Sequence, residues 1–208
     1  MKFFHLPASC SSAVHAALKI TGTPFEIETV DLANKSEAFQ AANPLGKVPA
    51  LLDDGGPMFE GGAINLWLAA KFPEAGLMPD LASDEGREAL KWLFFCYGTI
   101  HPIWIRLFFP QRMAGEGDHN AVKQLAHEDL KKNFGILSAA LTQQPYLAGE
   151  KLSLADLYVA ATFHWEAAID GDLTRLFPEI ADLKSRVMTN PGVSSAFAGE
   201  IVDIGRNN

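Results

Sequence analysis

Hydrophobic and polar positions in the first 80 residues follow two different periods. Lys2-Phe3-Phe4-His5 is a short apolar run that breaks at Pro7, after which Val14, Ala17, Leu18 and Thr21 recur at helical spacing. That pattern predicts a strand, a turn through Ser9-Cys10-Ser11-Ser12, and a helix. Phe25-Glu26-Ile27-Glu28-Thr29-Val30 alternates apolar with polar residues, as a strand with one face in a core should. Residues 31–42 are polar and predict a short helix, closed by a turn at Asn43-Pro44-Leu45-Gly46. Lys47-Val48-Pro49-Ala50-Leu51-Leu52 predicts a strand with Pro49 at its start, because proline cannot donate to a sheet ladder. Asp53-Asp54-Gly55-Gly56 has hairpin-turn composition, and Met58-Phe59 opens the partner strand. Residues 61–72 then run helical, with Ile64, Leu66, Trp67, Leu68 and Ala70 supplying apolar faces.

From residue 73 to 83 the composition shifts to Pro, Gly, Asp and Ala and marks a linker. Beyond it the pattern is helical with no convincing strand. Residues 84–112 predict one long helix or a kinked pair, since Pro102 removes a backbone donor from its middle. Residues 120–141 form a second long amphipathic helix. Ser153 and Asp156 have the spacing of a capping-box variant, flanked by Leu152 and Leu157 at the positions of a hydrophobic staple. This last feature is a folding device rather than a catalytic one. The chain therefore divides into an α/β part, residues 1–76, and an all-helical part, residues 84–208.

Composition narrows the function. An apolar fraction of 48% with 20% charged residues is that of a globular chain. A net charge of −8, with the basic residues scattered, argues against nucleic-acid and anionic-membrane partners. No secretory leader is visible, and no apolar run approaches the roughly 20 residues that span a bilayer. Cys10 and Cys96 are the two cysteines, too few for a disulfide framework or a zinc cluster, so a cytoplasmic protein with reduced thiols and no metal is expected. Cys10 carries the chemical interest, with Ser9 and Ser11 beside it. The first N–H groups of a helix lack intrahelical partners, favour an anion, and lower the pKa of a thiol placed among them. The structural alternative is that Ser9 or Ser11 caps the helix while Cys10 is a small packed residue.

Taken together, these landmarks resemble the cytosolic glutathione transferases over essentially the whole chain. They are Ser9-Cys10-Ser11 after the first strand, Asn43-Pro44-Leu45-Gly46-Lys47-Val48-Pro49-Ala50-Leu51, Glu60-Gly61 opening the third helix, and the Ser153/Asp156 cap. The bacterial beta type is most similar, because its active-site cysteine falls at Cys10. The resemblance implies a thioredoxin-like first domain, a helical-bundle second domain and a homodimer, with glutathione as co-substrate and no cofactor. It implies that Pro49 is cis and that the Val48 backbone pairs with the cysteinyl unit of glutathione. Glu60 would face the γ-glutamyl ammonium, and Lys35, with Lys47 nearby, the glycyl carboxylate. His101 and Trp104 would line the site from the long helix.

Three positions depart from the family pattern. Gly61 stands where, in the family, Ser or Thr usually donates its hydroxyl to the γ-glutamyl carboxylate, at an expected loss of one hydroxyl donor. His5 replaces a common aromatic residue, often Tyr, and Pro102 replaces a lysine. His15, on the first helix, is expected to tie that helix to the second domain.

The expected activity is conjugation of the glutathione thiolate to a small apolar electrophile, supported by helix-end N–H groups and by Ser9 or Ser11. Two alternatives remain open at this level. One is glutathione-dependent thiol–disulfide exchange through Cys10, with no Cys-x-x-Cys partner since Ser12 and Ala13 follow. The other is a non-catalytic protein that binds a ligand or partner on the same fold.

Overall fold

The computed structural model describes residues 1–168 and 173–200. Four strands, β1 Lys2–His5, β2 Glu26–Thr29, β3 Ala50–Asp53 and β4 Gly56–Phe59, form one sheet in the order β2-β1-β3-β4. β1 runs parallel to β2 and antiparallel to β3, which pairs antiparallel with β4 through the predicted hairpin. The helix α1, Ser11–Thr21, crosses between the parallel strands; α2, Glu37–Ala42, and α3, Gly61–Lys71, complete the first part.

Side chains alternate across a strand, so Phe3 and Phe4, both fully buried, enter different cores. Phe3 joins the large core with Val14, Leu18, Leu51, Ile64 and Leu68, while Phe4 meets Val30, Phe39, Ala42 and Ala50 on the other side. Two expectations for this region are corrected. β2 is an edge strand and Ile27 is 42% exposed, so its apolar face does not enter the core; Val30, just past the strand, does. The helix expected over residues 31–42 is confined to Glu37–Ala42, where Ser36 accepts the Phe39 N–H as its cap.

The helical part comprises α4 Asp84–Phe95, α5 His101–Phe108, α6 Gln111–Ala114, α7 His119–Leu141, α8 Leu154–Thr162, α9 Leu173–Leu176, α10 Pro178–Val187 and α11 Pro191–Phe197. The predicted kink between residues 84 and 112 is a π turn, Cys96–Ile100, immediately ahead of Pro102. Such a turn is wider than an α turn and re-aims the side chains it carries.

α1 packs against α3, α8 and α11, so the crossover helix is the centrepiece of both halves. Its residues 11 to 18 are all buried. The capping box at Ser153 is present. Among the described residues, no helix is long and apolar enough to cross a membrane. Residues 201–208, the end of the expected helical part, lie outside the described residues.

Candidate active site

The turn between β1 and α1 is built by hydroxyl groups. Ser9 donates its hydroxyl to the Leu6 carbonyl at 2.7 Å and accepts the Ser11 N–H at 3.1 Å. Ser11 Oγ lies 2.7 Å from Ser9 Oγ and accepts the Leu6 N–H at 3.1 Å. α1 starts at Ser11 with Cys10 as the N-cap and no side-chain cap, so the reading of Ser11 as a simple cap is corrected. Ser11 is fully buried and cannot touch a substrate; Ser9 is partly exposed and can. Ala8, just before, has φ of 60°, a left-handed conformation costly for alanine. It is held by the second part of the chain: its carbonyl accepts the Trp165 indole N–H at 2.7 Å and lies 3.2 Å from His164 Nε2.

Behind these serines stands a buried relay. His5 Nε2 is 2.8 Å from Glu200, and its Nδ1 is 2.7 Å from Ser11 Oγ. With Nε2–H donating to the carboxylate, Nδ1 accepts the Ser11 hydroxyl proton. Glu200 also binds His15 Nδ1 at 3.1 Å and the Ser12 hydroxyl at 2.7 Å. Burial alone would raise the Glu200 carboxyl, but bonds from His15, His5 and Ser12 hold it far below the usual carboxylate range. His15 thus ties α1 to the helical part, as expected. His5, His15 and Glu200 have metal-ligand spacing among the described residues, but their facing atoms already satisfy one another.

Cys10 contradicts the simplest helix-terminus argument. Its thiol faces the Val48 carbonyl at 3.8 Å. Burial pushes it up to about 12; the Cys10 and Ser11 backbone N–H groups pull it down, but the Glu60 charge adds to the rise. Desolvation outweighs the helix end, and the thiol is neutral at pH 7. The adjoining Val48–Pro49 peptide is cis.

Around this turn the other candidates converge unequally. Glu60 caps α3 in a strained conformation, φ 73° and ψ 107°, and is exposed. Gly61 follows it and is covered by Tyr97 from the π turn. Lys35 reaches over Gly46, its Nζ 2.8 Å from where a β-carbon on that glycine would lie. Lys47 is exposed, its carbonyl held by the Asn43 side chain at 2.5 Å. His101 bonds the Tyr158 hydroxyl at 2.9 Å; burial, then the charge of Lys47, lowers it to about 4. Trp104 is not in the site. It is fully buried, stacked on Phe108 and edge-on to Phe134 and Trp165, because its face of α5 turns into the helical core. Sequence reasoning missed Glu200, Trp165 and Tyr97. Only Tyr97 left a trace, in the unexpected glycine at position 61.

Two half-buried histidines set a pH dependence. His101 and His164 both sit near 4 against an ordinary 6.5, lowered first by burial. The unfolded chain binds these protons more readily between those values, so stability falls as pH drops from about 6.5 to 4. Asp156, raised by burial to about 6, acts in the opposite sense as pH rises from 3.8. Two groups outweigh one, and the melting temperature should be lower at pH 5 than at pH 7. His101→Gln should reduce that difference, as measured by thermal denaturation.

Comparison with known proteins gives this arrangement its class. Residues 1–70 match the family "Glutathione S-transferase, N-terminal domain" and residues 88–191 match "Glutathione S-transferase, C-terminal domain". The chain belongs to the glutathione S-transferase family. It is similar to glutathione S-transferase GstA of Escherichia coli O157:H7, with 30% identity over 205 residues covering 96% of this chain and 98% of that protein. It also resembles the solved sphingomonad glutathione S-transferase complexed with glutathione, at 34% identity and a TM-score of 0.85 over 96% of this chain and 98% of that one. The bacterial beta-class enzyme of Sphingomonas chungbukensis matches at 32% identity and a TM-score of 0.84, with the same coverage. Within the family the chain is bacterial beta-like.

Proposed function

We propose that this chain conjugates the thiolate of glutathione to a small apolar electrophile, with Ser9 and the start of α1 holding the thiolate. The sulfur forms a bond to an electrophilic carbon, whose leaving group departs with the displaced electron pair. The observation that carries this reading is the Cys10 thiol turned against the Val48 carbonyl beside a partly exposed Ser9 hydroxyl at the start of α1. Burial of the thiol favours its neutral form, which disfavours its attack on a disulfide. The relay from Glu200 through His5 orients Ser11, whose backbone N–H holds the Ser9 oxygen; the Ser9 hydroxyl would turn from the Leu6 carbonyl to the thiolate when glutathione binds.

Glutathione would lie between the Val48 backbone and α3, its ammonium toward Glu60 and its glycyl carboxylate toward Lys35 and Lys47. The strain at Glu60 supports a binding role, since unfavourable backbone conformations concentrate at functional sites. His101, neutral at pH 7, would face the electrophile side as a hydrogen-bonding group rather than a cation. The division at residues 76 and 84, a cytoplasmic location and a homodimer belong to the same reading. Phe94 on α4, 59% exposed, is apolar surface of the kind a second copy would cover.

The test is Cys10→Ala assayed with glutathione and an aryl halide. Turnover within about threefold of the parent is expected; loss of turnover, together with a Cys10–glutathione mixed disulfide in the parent by mass spectrometry, would favour exchange chemistry instead.

A further inference from the structure

Gly61 and Tyr97 compete for one space. A β-carbon on Gly61 would lie 2.8 Å from Tyr97 Cε1 and 3.0 Å from its hydroxyl oxygen, closer than a side chain tolerates. A β-carbon on Gly62 would meet the same ring at 3.4 Å. The phenol therefore lies across the first turn of α3, with its oxygen beside the place from which a residue-61 side chain would project. The π turn Cys96–Ile100 carries Tyr97 there from the helical part of the chain. The ring is braced against Tyr158, with centroids 4.7 Å apart.

The hydroxyl is also set as a donor. The buried Asn65 side-chain N–H donates to the Tyr97 oxygen at 3.1 Å, so the phenolic proton is left to donate elsewhere. Burial, then the neighbouring Cys10, holds the phenol un-ionised at neutral pH.

The resemblance calls for a serine or threonine hydroxyl at position 61 to meet the γ-glutamyl carboxylate, and this chain has glycine. We propose that the Tyr97 hydroxyl supplies that donor from the opposite domain, completing the carboxylate seat formed by the N–H groups at the start of α3. Gly61 is then the cost-free partner of Tyr97, since any larger residue collides with the ring. The inference rests on the reading of this site as the glutathione site. One consequence is that glutathione bridges the two halves of the chain through a residue of the helical part.

The test is calorimetric titration of reduced glutathione into the full-length protein and four variants. A hydrogen bond to a charged group corresponds to about ten- to a hundred-fold in affinity. Tyr97→Phe, which keeps the ring and removes the hydroxyl, should raise the Kd by that factor. Tyr97→Ala should weaken binding at least as much. Gly61→Ser alone should also weaken it, because the new side chain meets the ring. The double variant Gly61→Ser with Tyr97→Ala should recover to within a few-fold of the parent and bind more tightly than Tyr97→Ala, because the serine restores the hydroxyl that the alanine removed. Parent-like affinity in Tyr97→Phe, or a double variant no better than Tyr97→Ala, overturns the inference while leaving the glutathione site intact. Absence of glutathione binding by the parent overturns both.

Discussion

Asp156→Ala is expected to cost about 2–6 kcal/mol of folding stability, the largest loss of any single substitution considered for this chain. The carboxylate is fully buried and accepts the Ser153 N–H and Ser153 hydroxyl, each at 2.7 Å, and the Leu147 N–H at 2.9 Å. Alanine removes the capping box of α8 and strands two backbone donors, each worth about 1–3 kcal/mol when buried and unpaired. α8 lies against α1, α4 and α10, so the loss spreads to the helix that carries the active-site turn. Urea denaturation measures it directly. Asp156→Asn should lose less, because its carbonyl oxygen can still accept one of these bonds.

Ser9→Ala is expected to lower kcat/KM by about ten- to a hundred-fold, beside a stability loss of about 1–2 kcal/mol from its bonds to Leu6 and Ser11. Its hydroxyl is the partly exposed end of the chain that runs back through Ser11 and His5 to Glu200. A lost hydrogen bond to a thiolate falls in the range of bonds to charged groups, about 1.5–3 kcal/mol. The loss should appear as a raised apparent pKa in the rate–pH profile, since the variant holds the thiolate less well. Glutathione affinity measured below that pKa should change little. Steady-state kinetics across pH separates the two effects.

Much of the scaffold is written locally in the sequence. Phe3-Phe4, the Asp53-to-Gly56 turn and the Ser153/Asp156 cap each depend on neighbours a few residues away, and periodicity or turn chemistry reads them directly. Ile27 misled because alternation marks a strand without saying whether it lies at an edge. Trp104 misled in a similar way: an aromatic residue on the long helix fits a pocket or a core equally well until helix packing decides. Cys10 carries the sharper lesson. Its position at a helix start argues for a low pKa, yet burial and the charge of Glu60 prevail, and both depend on how distant segments enclose it. Glu200 meets His5 across nearly the whole chain length, and Trp165 meets Ala8 across most of it. No local pattern announces such pairs. His5 itself was visible as a departure, and the relay to Glu200 gives that departure a purpose.

In the proposed function glutathione, not Cys10, provides the reactive thiolate. Ultraviolet thiolate absorbance, followed across pH with and without glutathione, tests it in the parent, Cys10→Ala and Ser9→Ala proteins. No protein thiolate is expected below pH 9 without glutathione, and a bound-glutathione thiolate should form below the ordinary thiol value of about 8.5. That signal should persist in Cys10→Ala and shift upward in Ser9→Ala. A thiolate that titrates near neutrality in the protein alone and vanishes in Cys10→Ala would make Cys10 the nucleophile instead.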